Sequence, residues 1–166
     1  MAGGVKAIVA VVCVVVGLVA SALVGLRDMA QRPEYCATCH LMQPYVDSWK
    51  DSTYLASTHG KLGIPCQVCH AQTMGDLAGE VVSTVRHSYD EPLKEIKLPK
   101  EDCLRCHGSY QVLAERTKGL RLNPHASHLG ELDCQVCHKM HKESIDYCSQ
   151  CHGPVATGPG WKTLQQ

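Results

Sequence analysis

The chain has 166 residues, and its 16 basic and 16 acidic side chains give a formal net charge of zero. That balance excludes the electrostatic footprint of a nucleic-acid-binding protein, so partners must be argued from sites. The hydrophobic fraction of 45% misleads, because much of it sits in the first 26 residues and there is no Phe; a core built from ordinary side chains would be thin.

The first predicted element is a membrane helix. Ala7 to Leu26 run twenty residues without a charge, enough at about 1.5 Å per residue to cross a hydrocarbon core of about 30 Å. Lys6 before the span favours an inside N-terminus, and Arg27 beyond it weakens that preference. The rival is a cleaved secretory signal with Ala20-Ser21-Ala22 as its cleavage site. The span continues through Leu23-Val24-Gly25-Leu26 behind a basic region of Lys6 alone, which fits a retained anchor better. A lipoprotein reading fails because Val12, not a small residue, precedes Cys13. Gly17, Ser21 and Gly25 form a small-residue stripe that would let a second helix approach, hence an expectation of helix-mediated self-association.

Beyond the anchor come five copies of Cys-x-x-Cys-His: Cys36/Cys39/His40, Cys66/Cys69/His70, Cys103/Cys106/His107, Cys134/Cys137/His138 and Cys148/Cys151/His152. Two thiols at this spacing reach the two vinyl groups of one porphyrin, and the adjacent imidazole falls beneath the iron. Disulfide or zinc hooks would not require a histidine after every pair. Ten of the 11 cysteines are used in this way, and Cys13 lies in the apolar span. Five covalently bound c-type haems are therefore expected, and such haems are attached outside the cytoplasm in bacteria. The reading is a single-pass protein of the cytoplasmic membrane with an extracytoplasmic haem domain.

Leu26 and Cys36 are ten residues apart, a tether of at most about 35 Å, so the first haem lies near the membrane. Residues 41–65 are mixed and end in a Gly/Pro-marked turn at 60–65. A helix is predicted over Asp76 to Tyr89, capped by Asp76, striped by Leu77, Val81, Val85 and Tyr89, and ended by Pro92. Residues 93–102 form a charged connector, and 111–116 form a helix stopped by Gly119. Arg116, Lys118 and Arg121 read as a solvated face ahead of a dock for an acidic partner. Gly153 to Gly160 should be irregular. The fold class is a multihaem cytochrome c: one N-terminal transmembrane helix, then short helices and loops packed around five haems, with little strand. Its expected parts are an anchor (1–28), a membrane-proximal first-haem segment (29–56) and a tetrahaem domain (57–166).

Five histidines lie outside the motifs, His59, His87, His125, His128 and His141, and each iron has a second axial position. Supply equals demand, so these are candidate distal ligands. Double histidine ligation leaves iron no open position and favours a lower potential than His/Met. His59, His87, His128 and His141 are the first choices for the four C-terminal haems, with His125 as the spare or the remaining ligand. Met42, two residues after His40, is a candidate for the first iron or else packs against its haem.

Over residues 1 to 90 the chain resembles the membrane-anchored cytochrome c quinol dehydrogenases of nitrate and nitrite respiration, the NapC/NirT family. The likeness rests on the anchor, Gln31-Arg32-Pro33, the Met42 arrangement and His59-Gly60 before the second motif. From Ser57 to Trp161 it is similar to the tetrahaem domain of flavocytochrome c fumarate reductases. There the matching features are His59-Gly60, Cys103 to Gly108, Pro124 to Glu131 leading into Cys134, His141 and Tyr147-Cys148. The first resemblance implies that menaquinol is the donor at the first haem, with Glu80 and His87 at a quinol site. Glu80, Thr84 and His87 share one helix face, so Glu80 is a candidate proton acceptor. The second implies delivery to an extracytoplasmic reductase subunit, a flavoprotein in a separate chain, in anaerobic respiration. A soluble or filament-forming carrier is the alternative, and a haem enzyme such as a nitrite reductase is a more remote one. The pentahaem nitrite reductases replace one motif histidine by lysine, whereas all five motifs here keep histidine.

Overall fold

The computed structural model describes residues 2–156 and 158–164. Helix α1 (Ala2–Ala30) is longer than the charge-free run alone suggests, since Lys6 and Arg27 are both helical. Gly4–Met29 is long and apolar enough to cross a membrane, a property that signal sequences share. Arg27 in its last turn complements the negative end of the helix dipole. An Asp28–Arg32 ion pair at 2.5 Å spans the exit, and Pro33, with φ already preset, opens the single turn α2 (Pro33–Cys36).

Helices α3 (Gln43–Lys50) and α4 (Leu55–Lys61) pack against each other. Their contact buries Val46, Ser48, Ala56 and Ser57. Gly60 makes the approach possible: a Cβ there would sit 2.5 Å from the Trp49 carbonyl oxygen and 3.0 Å from its ring. The Trp49 indole N–H donates to the Ile64 carbonyl at 3.0 Å, which folds the 62–65 turn back over α3.

Helix α5 (Met74–Val85) starts two residues earlier than expected and ends four earlier. Its N-cap is Thr73, and Asp76 is the third helical residue of a capping box: the Thr73 hydroxyl accepts from the Asp76 N–H at 3.2 Å while the carboxylate accepts from the Thr73 N–H at 2.8 Å. The helix stops at Arg86, ahead of Pro92, because His87 turns left-handed at φ 52.

Helix α6 (Lys100–His107) carries the third motif in its C-terminal half, with Glu101 and Asp102 in the first turn and Arg105 and His107 in the last, each sign matching its end of the dipole. Helix α7 (Tyr110–Arg116) is capped by Ser109, and the Tyr110 hydroxyl donates to the Leu132 carbonyl. The short α8 (Cys134–Cys137) is started by the Asp133 carboxylate, which accepts from the Gln135 N–H at 2.9 Å. Two three-residue strands, β1 (Ser144–Asp146) and β2 (Trp161–Thr163), pair in parallel with Ser144 opposite Trp161. Strand is as scarce as expected, but β2 emerges straight from the irregular Gly/Pro tail. Among the described residues, the hydrophobic side chains buried by the polypeptide itself are Val46, Ala56 and Tyr110.

Candidate haem sites

The motifs occupy short turns: α2 and its exit for the first, a 3-10 turn (Cys66–Val68) for the second, α6 for the third, α8 for the fourth and a 3-10 turn (Tyr147–Gln150) for the fifth. They adjoin in chain order. Burial pushes the Cys36 thiol up, and the Cys66 thiol of the next motif adds to the shift. Burial likewise raises Cys69, with smaller contributions from Asp102 and from Cys106 of the third motif, and Arg105 donates to the Val68 carbonyl at 3.4 Å. Cys103 is pushed up to about 11 by burial and by Cys134 of the fourth motif. Cys137 is raised by burial, and Cys148 of the fifth motif adds to it. All eleven cysteines are unpaired.

The two thiols of a motif are not equivalent. The first cysteine of every motif is half-buried, whereas the second is exposed in three of them, at Cys39, Cys106 and Cys151. The polypeptide leaves these three thiols at its surface, and Cys151 closes the turn of the fifth motif. Its N–H donates to the Cys148 carbonyl at 3.2 Å, which makes it the C-cap of the 3-10 turn, and the next residues, His152 and Gly153, are exposed as well.

Four motif histidines each face one histidine from outside the motifs at nearly the same separation. Ring centroids are 6.2 Å apart for His70 and His141, 6.1 Å for His107 and His59, 6.2 Å for His138 and His125, and 6.1 Å for His152 and His128. Two imidazoles bound to opposite sides of one metal, each through a bond of about 2 Å and a ring radius of about 1.1 Å, would have centroids about 6.2 Å apart. Among the described residues no three His, Cys, Asp or Glu side chains converge as a metal shell. A facing pair suits an iron whose other four donors belong to a porphyrin. The donor chemistry and the spacing fit haem at these four motifs.

The local hydrogen bonds prepare three of the outer histidines for this. His59 Nδ1 donates to the Leu55 carbonyl at 2.8 Å, which can only accept, so Nε2 keeps its lone pair. The Ser48 hydroxyl donates to the Tyr45 carbonyl at 2.7 Å and thus accepts from His141 Nδ1, also at 2.7 Å. The Thr117 hydroxyl has two acceptors at hand, the Leu113 carbonyl at 2.8 Å and Asn123 Oδ1 at 2.7 Å, and so accepts from His125 Nδ1 at 3.1 Å. Each fixed Nδ1–H leaves Nε2 free to bind a metal. Burial lowers the proton affinity of His70, His125, His138 and His141, which favours the neutral, metal-binding form. Trp161 of β2 packs edge-on to His138 at 5.5 Å. The buried Asp146 carboxylate accepts from the Val155 and Ala156 N–H groups at 2.7 and 3.1 Å, holding the tail across the fifth motif.

The distribution of outer histidines differs from the expected one at one place. His125 stands opposite a motif histidine, whereas His87 faces Tyr89 at 6.2 Å. Among the described residues, His40 and His87 face no other imidazole at the ligand-pair distance. His40 and Met42 are exposed, and the Met42 N–H donates to the Cys39 carbonyl at 2.9 Å, so the thioether leaves the backbone directly after the motif. Glu80 adds to the rise that burial and Cys66 give the Cys36 thiol, and its carboxylate accepts from the Gln72 amide at 2.5 Å. Gln72 in turn lines an open cleft of about 370 Å³ with Arg27, Gln31, Thr73, Met74 and Leu77, where the end of α1 meets the start of α5. Ser48, Thr117 and Trp161 were not legible as site residues, since their role depends on contacts far apart in sequence. Arg121 and Lys118 are engaged locally, by the Gly153 carbonyl at 2.7 Å and by Glu115.

The family described as cytochrome c3 matches residues 58–153. The cytochrome c-type protein Cgr1 of Eggerthella lenta is 30% identical over 188 residues, covering 94% of this chain and 87% of that protein. The probable fumarate reductase Ifc3 of Shewanella frigidimarina is 35% identical over 98 residues, which are 59% of this chain and 13% of that longer protein. No solved structure matches.

Proposed function

As this chain belongs to the cytochrome c3 family, we propose that it is a membrane-anchored five-haem conduit carrying electrons from menaquinol to an extracytoplasmic flavoprotein reductase of the fumarate reductase type. Multihaem electron transfer is the property of the family; the haem count, donor and acceptor are the reading proposed here. The four histidine pairs carry it, because each matches a motif histidine with a partner at the separation two axial ligands require. Haem attached at these motifs supplies reversible one-electron transfer at iron. Two imidazoles at each of these four sites would hold the iron and leave it no open position, so the residues suit a carrier rather than a terminal reductase.

The donor end is supported by the cleft beside the exit of α1. Arg27, Gln31 and Gln72 line it, and Gln72 donates to the carboxylate of Glu80. Quinol oxidation releases two protons with its two electrons, and Glu80 is the acceptor in this reading. His87 follows the C-cap of α5 in a left-handed turn and so does not share the helix face of Glu80, while Met42 would be the second ligand for an iron held by His40. The acceptor end is supported by the likeness of 98 residues to part of a probable fumarate reductase. The full chain in vesicles should be reduced by menaquinol, and Glu80→Gln and Met42→Ala should each slow that reduction. Wild-type rates in both variants would put the donor site elsewhere; no reduction of the wild-type chain overturns the quinol reading.

A further inference from the structure

Helix α5 buries none of its side chains. Met74, Val81, Val82 and Val85 are 51, 59, 47 and 75% exposed. At about 100° per residue these four, with Leu77 and Ala78, fall within an arc of about 140°. The opposite arc holds Gly75, Asp76, Gly79, Glu80, Ser83 and Thr84. Within that arc Glu80 accepts from Gln72, in the segment that leads into the helix. Val85, at the C-terminal end of the apolar arc, is the most exposed of the four.

The helix begins at a defined depth. Met74 and Leu77, the first two residues of the apolar arc, line the same cleft as Arg27 and Gln31 at the end of the span. An apolar stripe that starts where a membrane helix leaves the hydrocarbon is continuous with the lipid surface. We infer that α5 lies on the outer face of the bilayer with Met74, Val81, Val82 and Val85 in the acyl-chain boundary. This rests on the anchoring of α1 proposed above. The seated helix is a second fixed point that orients the first motif and its cleft toward the membrane. The arc carries no charge, so seating does not depend on anionic lipid.

The experiment uses the full-length holoprotein in nanodiscs of phosphatidylcholine containing a phospholipid with a diazirine on its acyl chain, irradiated and mapped by peptide mass spectrometry. Adducts are expected on α1 and, within α5, on Met74, Val81, Val82 and Val85 but not on Glu80 or Ser83. The double variant Val81→Glu/Val85→Glu should lose α5 adducts by about tenfold with α1 adducts, haem content and visible spectrum unchanged, and Val81→Leu/Val85→Leu should keep them. Adducts on α1 alone, or crosslinks from α5 to a second copy, overturn the inference while leaving the anchor intact. A changed haem spectrum in the glutamate variant overturns it too, because the face would then cover a haem. Adducts on neither helix overturn the anchoring itself.

Discussion

Ser48 has one hydroxyl proton, spends it on the Tyr45 carbonyl, and thereby holds His141 Nδ1–H at 2.7 Å. An acceptor on Nδ1–H makes the imidazole a better donor to iron, so Ser48→Ala should raise the midpoint potential of the haem at the second motif by on the order of tens of millivolts. Spectroelectrochemistry reads this, and an unchanged titration would separate Ser48 from the site. The ring planes give a second test. His128/His152 and His59/His107 are crossed at 81° and 76°, whereas His125/His138 are nearly parallel at 6°. Crossed planes leave the iron π-type d orbitals almost degenerate and give a strongly anisotropic low-spin EPR signal; parallel planes split them and give a rhombic one. Both signal types should appear, and His125→Ala should remove a rhombic component. The buried imidazoles also set a pH dependence. An imidazole bound to iron through Nε2 would take up no second proton there, and burial disfavours the charged form of His138, His70 and His141 in the same direction. The unfolded chain then binds more protons than the folded one below about 6.5, so stability is complete above that pH and falls as the pH drops through it. Urea midpoints at pH 7.5 and 5.5 should show the lower value at 5.5.

The helical elements are small and owe their positions to close contacts. In the α3–α4 pair, a Cβ on Gly60 would meet the Trp49 carbonyl oxygen, a backbone atom that moves only with the helix. Gly60→Ala should cost about 1–3 kcal/mol and lower the melting temperature by roughly 2–10 °C, measured by Soret circular dichroism. Periodicity revealed α5 because its apolar arc is wide, and Thr73-x-x-Asp76 is a cap pattern visible in the chain. Its end was not visible, because nothing local announces the left-handed turn at His87. The five Cys-x-x-Cys-His motifs stand out in the chain because their spacing repeats without variation. The exposure of Cys39, Cys106 and Cys151 beside half-buried first thiols was not legible, because spacing says nothing of which thiol the chain covers. Four of the five outer histidines, His59, His125, His128 and His141, stand opposite motif histidines, His87 does not, and the pairing was not legible. His141 returns to the second motif and His59 reaches the third, so the assignment is made by tertiary packing. His125 and His128 sit on or beside one short turn and serve different motifs, which their spacing alone does not distinguish.

At the scale of the molecule, a chain whose own buried apolar side chains are Val46, Ala56 and Tyr110 among the described residues has little to offset the entropy of ordering about 1–2 kcal/mol per residue. Expressed without haem attachment, the domain after α1 should be protease-sensitive and lack cooperative melting. The motifs adjoin in sequence order, from Cys36 near Cys66 through Cys69 near Cys106 and Cys103 near Cys134 to Cys137 near Cys148. Such an order makes the third motif the midpoint of the route. Exchanging its partner, His59→Met, would place a thioether opposite His107 and raise the potential there by on the order of 0.1 V. With about 59 mV per tenfold for one electron, that holds the electron at the midpoint by a factor of roughly 50. Reduction by menaquinol should then still fill the sites ahead of it, while reoxidation by an acceptor at the far end should slow in the same proportion. A route that bypasses the third motif would leave turnover unchanged, and the sequential order would then be wrong even with every haem in place.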